Sequence, residues 1–297
     1  LYIFFFYDTF WGSPISFLKQ FLIIFINNIK IRTDGGRTMG ARLSLPGTYT
    51  RKLLRAIREF DLIRPGDRVL VGLSGGKDSS FLLYALTVLR KSGIIPFELG
   101  ALTIDLGFET PLNPQPLQVY CASLGVPFRM LKTEIAKYAF GENNPEGPCA
   151  TCSFLRRGAM NRIAREDGYN TVALAHHHDD AVETFLMSVI FSGQIKTFLP
   201  RTDLDRTGLV VIRPLVYFRE SELKKAIQIT NFPPIPSPCP ADGLTKRAET
   251  KELIRKLCHH DKRVFNNLAA VIREGRFMEL WPSELSQEEK QRRNLRR

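Results

Sequence analysis

The stretch Ser74-Gly75-Gly76-Lys77-Asp78-Ser79-Ser80 constrains the fold more than any other part of the chain. Ahead of it, Arg68-Val69-Leu70-Val71-Gly72-Leu73 is a short apolar run rich in branched residues, the pattern of a buried strand. Behind it, Phe81 to Arg90 has helical composition and stops near Ser92-Gly93. The glycines therefore sit on a tight strand-to-helix turn. Lacking Cβ atoms, Gly75 and Gly76 can take unusual backbone angles and let a bulky anion reach the main chain. The helix start offers unpaired N–H groups and the positive end of its dipole. Ser74, Ser79 and Ser80 add hydroxyls and Lys77 adds a charge, so the turn reads as a phosphate cradle. It is neither G-x-x-x-x-G-K-[ST] nor G-x-G-x-x-G. An ordinary serine-rich cap would need neither two glycines nor a lysine beside an aspartate.

The pattern around this turn repeats. Phe97 to Asp105, Pro127 to Lys132, Thr171 to Ala175 and Leu209 to Ile212 read as further strands. Helices are expected over Tyr49–Phe60, Pro116–Leu124, Phe154–Asp167 and Ala181–Ile190, with a glycine- and proline-rich loop over 137–148. Strands alternating with helices predict an α/β fold, a parallel sheet with helices on both faces. Ligands of such sheets lie beyond the carboxyl ends of the strands. Ser74, Asp105 and His176 all fall at strand ends, so three segments converge on one crevice. After Pro240 the pattern is helical (Lys251–Leu257, Lys262–Arg273). The expected organisation is a leader over 1–38, a nucleotide-binding body over 39–240, a small helical C-terminal extension over 241–287 and a charged tail over 288–297. The leader is very apolar, but Asp8, Gly12-Ser13-Pro14 and Lys19 interrupt it short of the ~20 apolar residues of a membrane span. The first methionine is Met39, and the expected start of the functional protein is there.

A formal charge of +12 points to a polyanionic partner, RNA or DNA before membrane. Arg156, Arg157, Arg162 and Arg165 lie together on one expected helix and suit a nucleic-acid backbone. Five cysteines in 297 residues do not make a secreted disulfide framework. Cys149-x-x-Cys152 opens the basic helix, and Cys239 stands far downstream between two prolines that make a rigid turn. A redox dithiol would leave Cys239 unexplained. A structural zinc site needs a fourth ligand from Cys258, His259 or His260. An iron–sulfur cluster on three thiolates would leave one iron open, although four thiolates are the rule. On the residues alone zinc and cluster stand level. Cys121 reads as core filler. In His176-His177-His178-Asp179-Asp180, one aspartate is expected to cap the following helix. The rest of that segment suits the phosphates of a nucleotide or Mg²⁺.

Taken in order, Ser74–Ser79, Cys149-x-x-Cys152, Leu155-Arg156-Arg157-Gly158, His176-His177-x-Asp179-Asp180, Ile212-Arg213-Pro214-Leu215 and Cys239 resemble the tRNA 2-thiocytidine biosynthesis (TtcA-like) family of PP-loop ATP pyrophosphatases. The resemblance covers roughly Met39 to Arg273. It implies an adenine-nucleotide α-hydrolase-like fold, ATP with Mg²⁺, a [4Fe–4S] cluster on Cys149, Cys152 and Cys239, and sulfur insertion at a tRNA cytidine. ATP is expected on Ser74, Gly75, Gly76, Lys77, Asp78, Ser79, Asp105 and His176. Catalytic roles are expected for Lys77, Asp78, Asp179 and Arg156, and RNA contacts for Arg156, Arg157 and Arg162. The expected partners are tRNA, a sulfur donor such as a cysteine desulfurase, and a second copy in a homodimer, all in the cytoplasm. Two features depart from the family. Ala175 replaces the usual glycine before the histidines, and Pro-Cys-Pro replaces a closely spaced cysteine pair at Cys239. The alternative is a PP-loop tRNA-modifying ligase or 2-thiouridine synthetase with zinc in place of the cluster. Zinc-finger cysteines at both ends, as in related 2-thiouridine enzymes, are missing here, and lysidine synthetases lack the CxxC.

Overall fold

The computed structural model describes residues 43–142 and 144–273. The leader over 1–38, the tail over 288–297 and part of the expected helical extension lie outside these residues. Six strands form one sheet: β1 (Arg68–Gly72), β2 (Glu98–Asp105), β3 (Phe128–Lys132), β4 (Thr171–Ala173), β5 (Arg201–Leu204) and β6 (Leu209–Ile212). Their order is β3-β2-β1-β4-β6-β5. All neighbours are parallel except β5, which pairs antiparallel with β6. The sheet is thus parallel as expected but for this one edge strand, which was not among the expected strands. Arg201-Thr202-Asp203-Leu204 is too polar to read as a buried strand, and an edge strand needs no apolar run. It returns to β6 through a turn in which the Gly208 N–H donates to the Leu204 carbonyl at 2.9 Å.

Nine helices are described: α1 (Gly47–Glu59), α2 (Lys77–Ser92), α3 (Gln115–Leu124), α4 (Ile135–Ala139), α5 (Pro148–Glu166), α6 (His178–Ser192), α7 (Glu220–Thr230), α8 (Lys246–His260) and α9 (Val264–Val271). Two differ from expectation in ways that matter. The loop expected from 137 is partly helix α4, and α5 begins at Pro148 rather than Phe154, with the CxxC opening it. Proline is favoured at that position because its missing N–H would have no helical acceptor. Helix α7 follows a Pro214-Leu215 turn and carries mixed polar and apolar residues that gave no clear sequence signal.

The strand order reverses at β1 and β4. β1, β2 and β3 progress one way and β4 and β6 the other. With right-handed crossovers, the connecting helices of the two halves lie on opposite faces of the sheet. On one face Met160, Ile163 and Ala164 of α5 pack on Leu70, Leu102, Val172 and Val211. Leu70, Val172 and Val211 are register partners across β1, β4 and β6, so they share that face. The extension does not stand apart. Ile254 of α8 and Phe265 of α9 bury themselves against Val182 of α6. Among the described residues no helix is long and apolar enough to cross a membrane.

Candidate active site

The carboxyl ends of β1 and β4 open on the crevice that the strand reversal creates. The turn after β1 is held by its own side chains. The Gly76 N–H donates to Ser74 Oγ at 3.3 Å, the Ser74 N–H to Ser79 Oγ at 3.1 Å, and the two hydroxyls lie 3.0 Å apart. Gly75 has φ +81°, a conformation that L side chains rarely adopt. Gly76 starts α2 with no side chain capping it, which leaves the first N–H groups of that helix for a ligand. Lys77 Nζ lies 2.9 Å from Asp78 Oδ2 and 3.7 Å from Glu220 Oε1. The other oxygen of Asp78, Oδ1, is buried without a partner, and so is Ser80 Oγ. Buried polar atoms left this way are costly unless something binds them. A carboxylate oxygen of this kind suits Mg²⁺ held beside nucleotide phosphates. Asp105, at the end of β2, accepts from the Gly107 N–H at 3.1 Å, and Thr133 seals its carbonyl.

The histidine–aspartate segment divides its roles. His177 and Asp180 cap α6 reciprocally: the His177 N–H donates to Asp180 Oδ2 at 2.9 Å, and the Asp180 N–H donates to His177 Nδ1 at 3.4 Å. Asp179 accepts two bonds from Arg219 at 3.1 Å and one from the Glu220 N–H at 2.8 Å. Its oxygens are thus engaged by the start of α7. They hold Glu220, whose carboxylate lies against Lys77 and Lys251. Burial works against the Glu220 charge, but the Lys251 hydrogen bond and the lysines around it hold its carboxyl down to about 2. His176 is different again. Its Nδ1 atom is buried with no partner, and its ring lies 5.1 Å from that of Phe198. Burial lowers the His176 imidazole to about 4, with Arg213, Arg247 and Arg156 adding to that shift and Asp180 opposing it.

The cysteines come from two segments. Asn144 pins the chain ahead of α5, accepting from Thr151 Oγ1 at 2.9 Å and donating to the Ala139 carbonyl at 2.6 Å. Cys149 is exposed and Cys152 half-buried. Cys239 is brought in by the stretch that follows α7. There Phe232 packs on Tyr120 at 4.5 Å between ring centroids, and the Ile235 N–H donates to the Gly75 carbonyl at 2.9 Å. Cys149 and Cys239 are both within electrostatic reach of Cys152. Burial raises the Cys152 thiol, the Arg156 guanidinium pulls it back, and the two neighbouring cysteines push it up again. Yet among the described residues no three His, Cys, Asp or Glu side chains are gathered tightly enough to hold one metal ion. A single zinc draws its thiolates to about 2.3 Å from one centre. A cubane cluster takes one thiolate at each of its corner irons and spreads them wider. Two thiols within electrostatic reach of a third make a donor set of the kind an iron–sulfur cluster takes. Cys258, the candidate fourth zinc ligand, packs instead in the apolar cluster of Val182, Ile254 and Phe265. Cys121 is buried as expected, and burial pushes its thiol up to about 12.

Of the arginines expected on RNA, Arg156 and Arg157 are exposed, with Arg156 near both Cys152 and His176. Arg162 is exposed but paired with Glu166 one turn on, at 2.9 Å. Sequence reasoning missed Arg213 and Glu220. The Ile-Arg-Pro-Leu motif and the acidic start of an unexpected helix were the available signals.

The whole arrangement has counterparts. A family model described as PP-loop domain matches residues 47–236. A tRNA-cytidine(32) 2-sulfurtransferase of Anaeromyxobacter sp. (strain K) is 38% identical over 225 residues, 73% of this chain and 77% of the relative. That of Burkholderia lata is 38% identical over 236 residues, 75% of this chain and 69% of the relative. Among solved structures, the U34-tRNA thiolase NcsA from Methanococcus maripaludis with its [4Fe-4S] cluster superposes with a TM-score of 0.59 at 24% identity, covering 75% of this chain and 76% of that one. This last likeness shows the fold. The family match over the strand–loop–helix body, with the long alignments to curated relatives, establishes that the chain belongs to the PP-loop proteins and, among them, to the tRNA-cytidine 2-sulfurtransferase family.

Proposed function

We propose that the chain is an ATP-dependent tRNA thiolation enzyme that replaces the C2 oxygen of a tRNA cytidine with sulfur. The observation that carries this reading is the hydrogen bond from the Ile235 N–H to the Gly75 carbonyl, which ties the Cys239 segment to the phosphate loop. Activation and sulfur transfer on one carbon need both centres in one crevice.

A pyrimidine C2 carbonyl oxygen is a poor leaving group. The O2 oxygen attacks the α-phosphorus of ATP, the O2–P bond forms, the bond to the β-phosphate breaks, and pyrophosphate leaves with its electron pair. The α2 N–H groups, Ser74, Ser79 and Lys77 stabilise the charge that builds on pyrophosphate, which is the kind of fixed electrostatics that dominates phosphoryl chemistry. Asp78 would hold Mg²⁺ through its unpartnered Oδ1. Asp105 and His176 line the nucleotide. Asp179 acts as a positioning residue, since it fixes the start of α7 and with it Glu220 beside Lys77. Cys149, Cys152 and Cys239 would hold the [4Fe–4S] cluster, which when bound supplies an iron with a position open to sulfur. Arg156 steadies the thiolate form of Cys152. Sulfur at the sulfide level then bonds to C2 as the C2–O bond breaks, and AMP departs. The exposed Arg156 and Arg157, and Arg162 to a lesser degree, meet the tRNA backbone, which gives affinity without base identity. A sulfur donor such as a cysteine desulfurase, a homodimeric assembly and a cytoplasmic site belong to the same reading. So does a catalytic body over 39–240 followed by a helical extension over 241–287.

Anaerobic purification with iron, sulfide and zinc analysis, joined to mass spectrometry of nucleosides from treated tRNA, tests it. The expected result is iron with sulfide and ATP-dependent 2-thiocytidine. Stoichiometric zinc with no thiolated cytidine would reject it in favour of the zinc-bearing ligase.

A further inference from the structure

Arg213 is a cation without an anion. It follows β6 directly, and among the described residues no carboxylate pairs with it. Its Nη1 donates to the Leu199 carbonyl at 2.6 Å and to Thr202 Oγ1 at 3.3 Å. Its guanidinium lies over the Phe198 ring at 5.1 Å. Its Nε is buried with no partner. Burial, with the positive charge of Arg157 adding to it, brings Arg213 down to about 10. A guanidinium taken out of water usually finds a carboxylate, because an unpaired buried charge is costly. His176, on the adjacent strand end, faces the same Phe198 ring and also carries an orphaned buried nitrogen, Nδ1. Two unsatisfied groups on neighbouring strands, flanking one aromatic ring, make a built site for an oxyanion.

Its position narrows the ligand. Val71, Ala173 and Ile212 are register partners in adjacent strands β1, β4 and β6. Arg213 therefore stands two strands from the phosphate loop, about 10 Å across the sheet. It also lies on the side of Arg157, on the helix that carries the cysteines. On the proposed thiolation reading, the loop takes the departing pyrophosphate. The phosphorus that moves to the base lies farther along, between loop and thiols. We infer that Arg213, with His176 beside it, holds the α-phosphate of the nucleotide while it passes from ATP to the cytidine oxygen and leaves as AMP. A phosphate of the tRNA backbone has the same chemistry. The burial of Nε favours the smaller ligand, which enters the crevice.

Direct binding of AMP and of pyrophosphate separates the sites. Arg213→Met keeps the apolar stem, and Arg213→Lys keeps the charge in a less directional form. In Arg213→Met, AMP affinity should fall about tenfold or more, as for a lost charged hydrogen bond, with pyrophosphate affinity unchanged. Arg213→Lys should recover part of the loss, and Lys77→Ala should show the converse pattern. tRNA affinity and its salt slope should stay as in the wild type. Equal loss for AMP and pyrophosphate in both Arg213 variants would reduce the residue to a structural one. An unchanged AMP affinity with a salt slope lowered by about one would move it to the tRNA backbone. Either result overturns the assignment and leaves the thiolation reading intact. A wild-type chain that binds neither AMP nor pyrophosphate would instead sink the adenylation step itself, and Arg213's role with it.

Discussion

The phosphate loop and the proposed cysteine site are built in opposite ways. Between Ser74 and Ser80 the polar groups bond mainly to one another, and the turn carries its own scaffold. The three cysteines come from two remote segments, and no bond joins one thiol to another. Their approach depends on Asn144 at one end and on Ile235 at the other. A loop pre-organised by its own residues fails when one of them changes. A site assembled by its surroundings fails also when the surroundings shift.

The largest effects should come from the groups in contact with the reaction. Lys77→Ala removes one charge from the departing pyrophosphate and touches no thiol. It should lower tRNA-dependent pyrophosphate release by about 10²–10³-fold and keep the iron content of the wild type. Cys239→Ala should do the reverse, retaining ATP and tRNA binding, losing iron and forming no 2-thiocytidine. Full iron with normal thiolation in that variant would remove Cys239 from the site. Gly75→Ala should harm both centres at once. A Cβ there meets the Ile235 side chain at 3.2 Å, and the φ of +81° is strained for alanine. Strain of that kind costs about 1–3 kcal/mol, and it falls on the residue that ties the two sites. Pyrophosphate release and iron retention should both drop, each by less than in the single-site variants. Undisturbed iron would show that the tie does not couple them.

The same contrast explains what could be read from the residues. The loop was legible because its chemistry is contiguous: glycines, lysine and serines within seven positions, between a branched apolar run and a helix. β1, β2, β4 and β6 were legible for the same reason, each a short buried run, and β3 was legible from its apolar Phe128, Met130 and Leu131 although it is only half-buried. β5 was not, since Arg201 and Asp203 pair with each other at a polar edge that carries no apolar period. Helix α7 and its Glu220 were missed because their partners, Asp179 and Lys77, come from two other strand ends. The cysteine set was named through a family resemblance. Neither spacing nor composition could tell that Cys258 packs with Ile254 and Phe265 while Cys239 comes within electrostatic reach of Cys152.

The basic helix can be divided by experiment. Arg157→Ala should weaken tRNA binding and lower the slope of log affinity against log salt by about one. Arg156→Ala should also slow reloading with iron, because Cys152 loses the cation that favours its thiolate. Equal behaviour of the two variants in both assays would mean that Arg156 serves only the RNA.

The smallest effect tests how burial is shared around α6. Burial pushes the Glu183 carboxyl up to about 7, with Asp180 adding to the shift and Arg247 opposing it. Its native form therefore holds a proton that the unfolded chain has released above the ordinary value of 4.5. Its stabilising contribution is complete below that value and fades as pH rises through about 7. His176 runs the other way. Its native imidazole stays neutral down to about 4, whereas the unfolded one takes a proton near 6.5. Stability from His176 is therefore lost as pH falls from 6.5 towards 4. In the shared window the two slopes oppose each other and the wild-type melting temperature should change little. Glu183→Gln removes one slope and leaves the carboxamide to keep the contact with Arg247. Its melting temperature should then climb by several degrees from acid to neutral pH, in the sense set by the lowered His176 alone. A melting curve with the same pH dependence as the wild type would mean that Glu183 stays ionised against Arg247 throughout, and that the ion pair outweighs its burial.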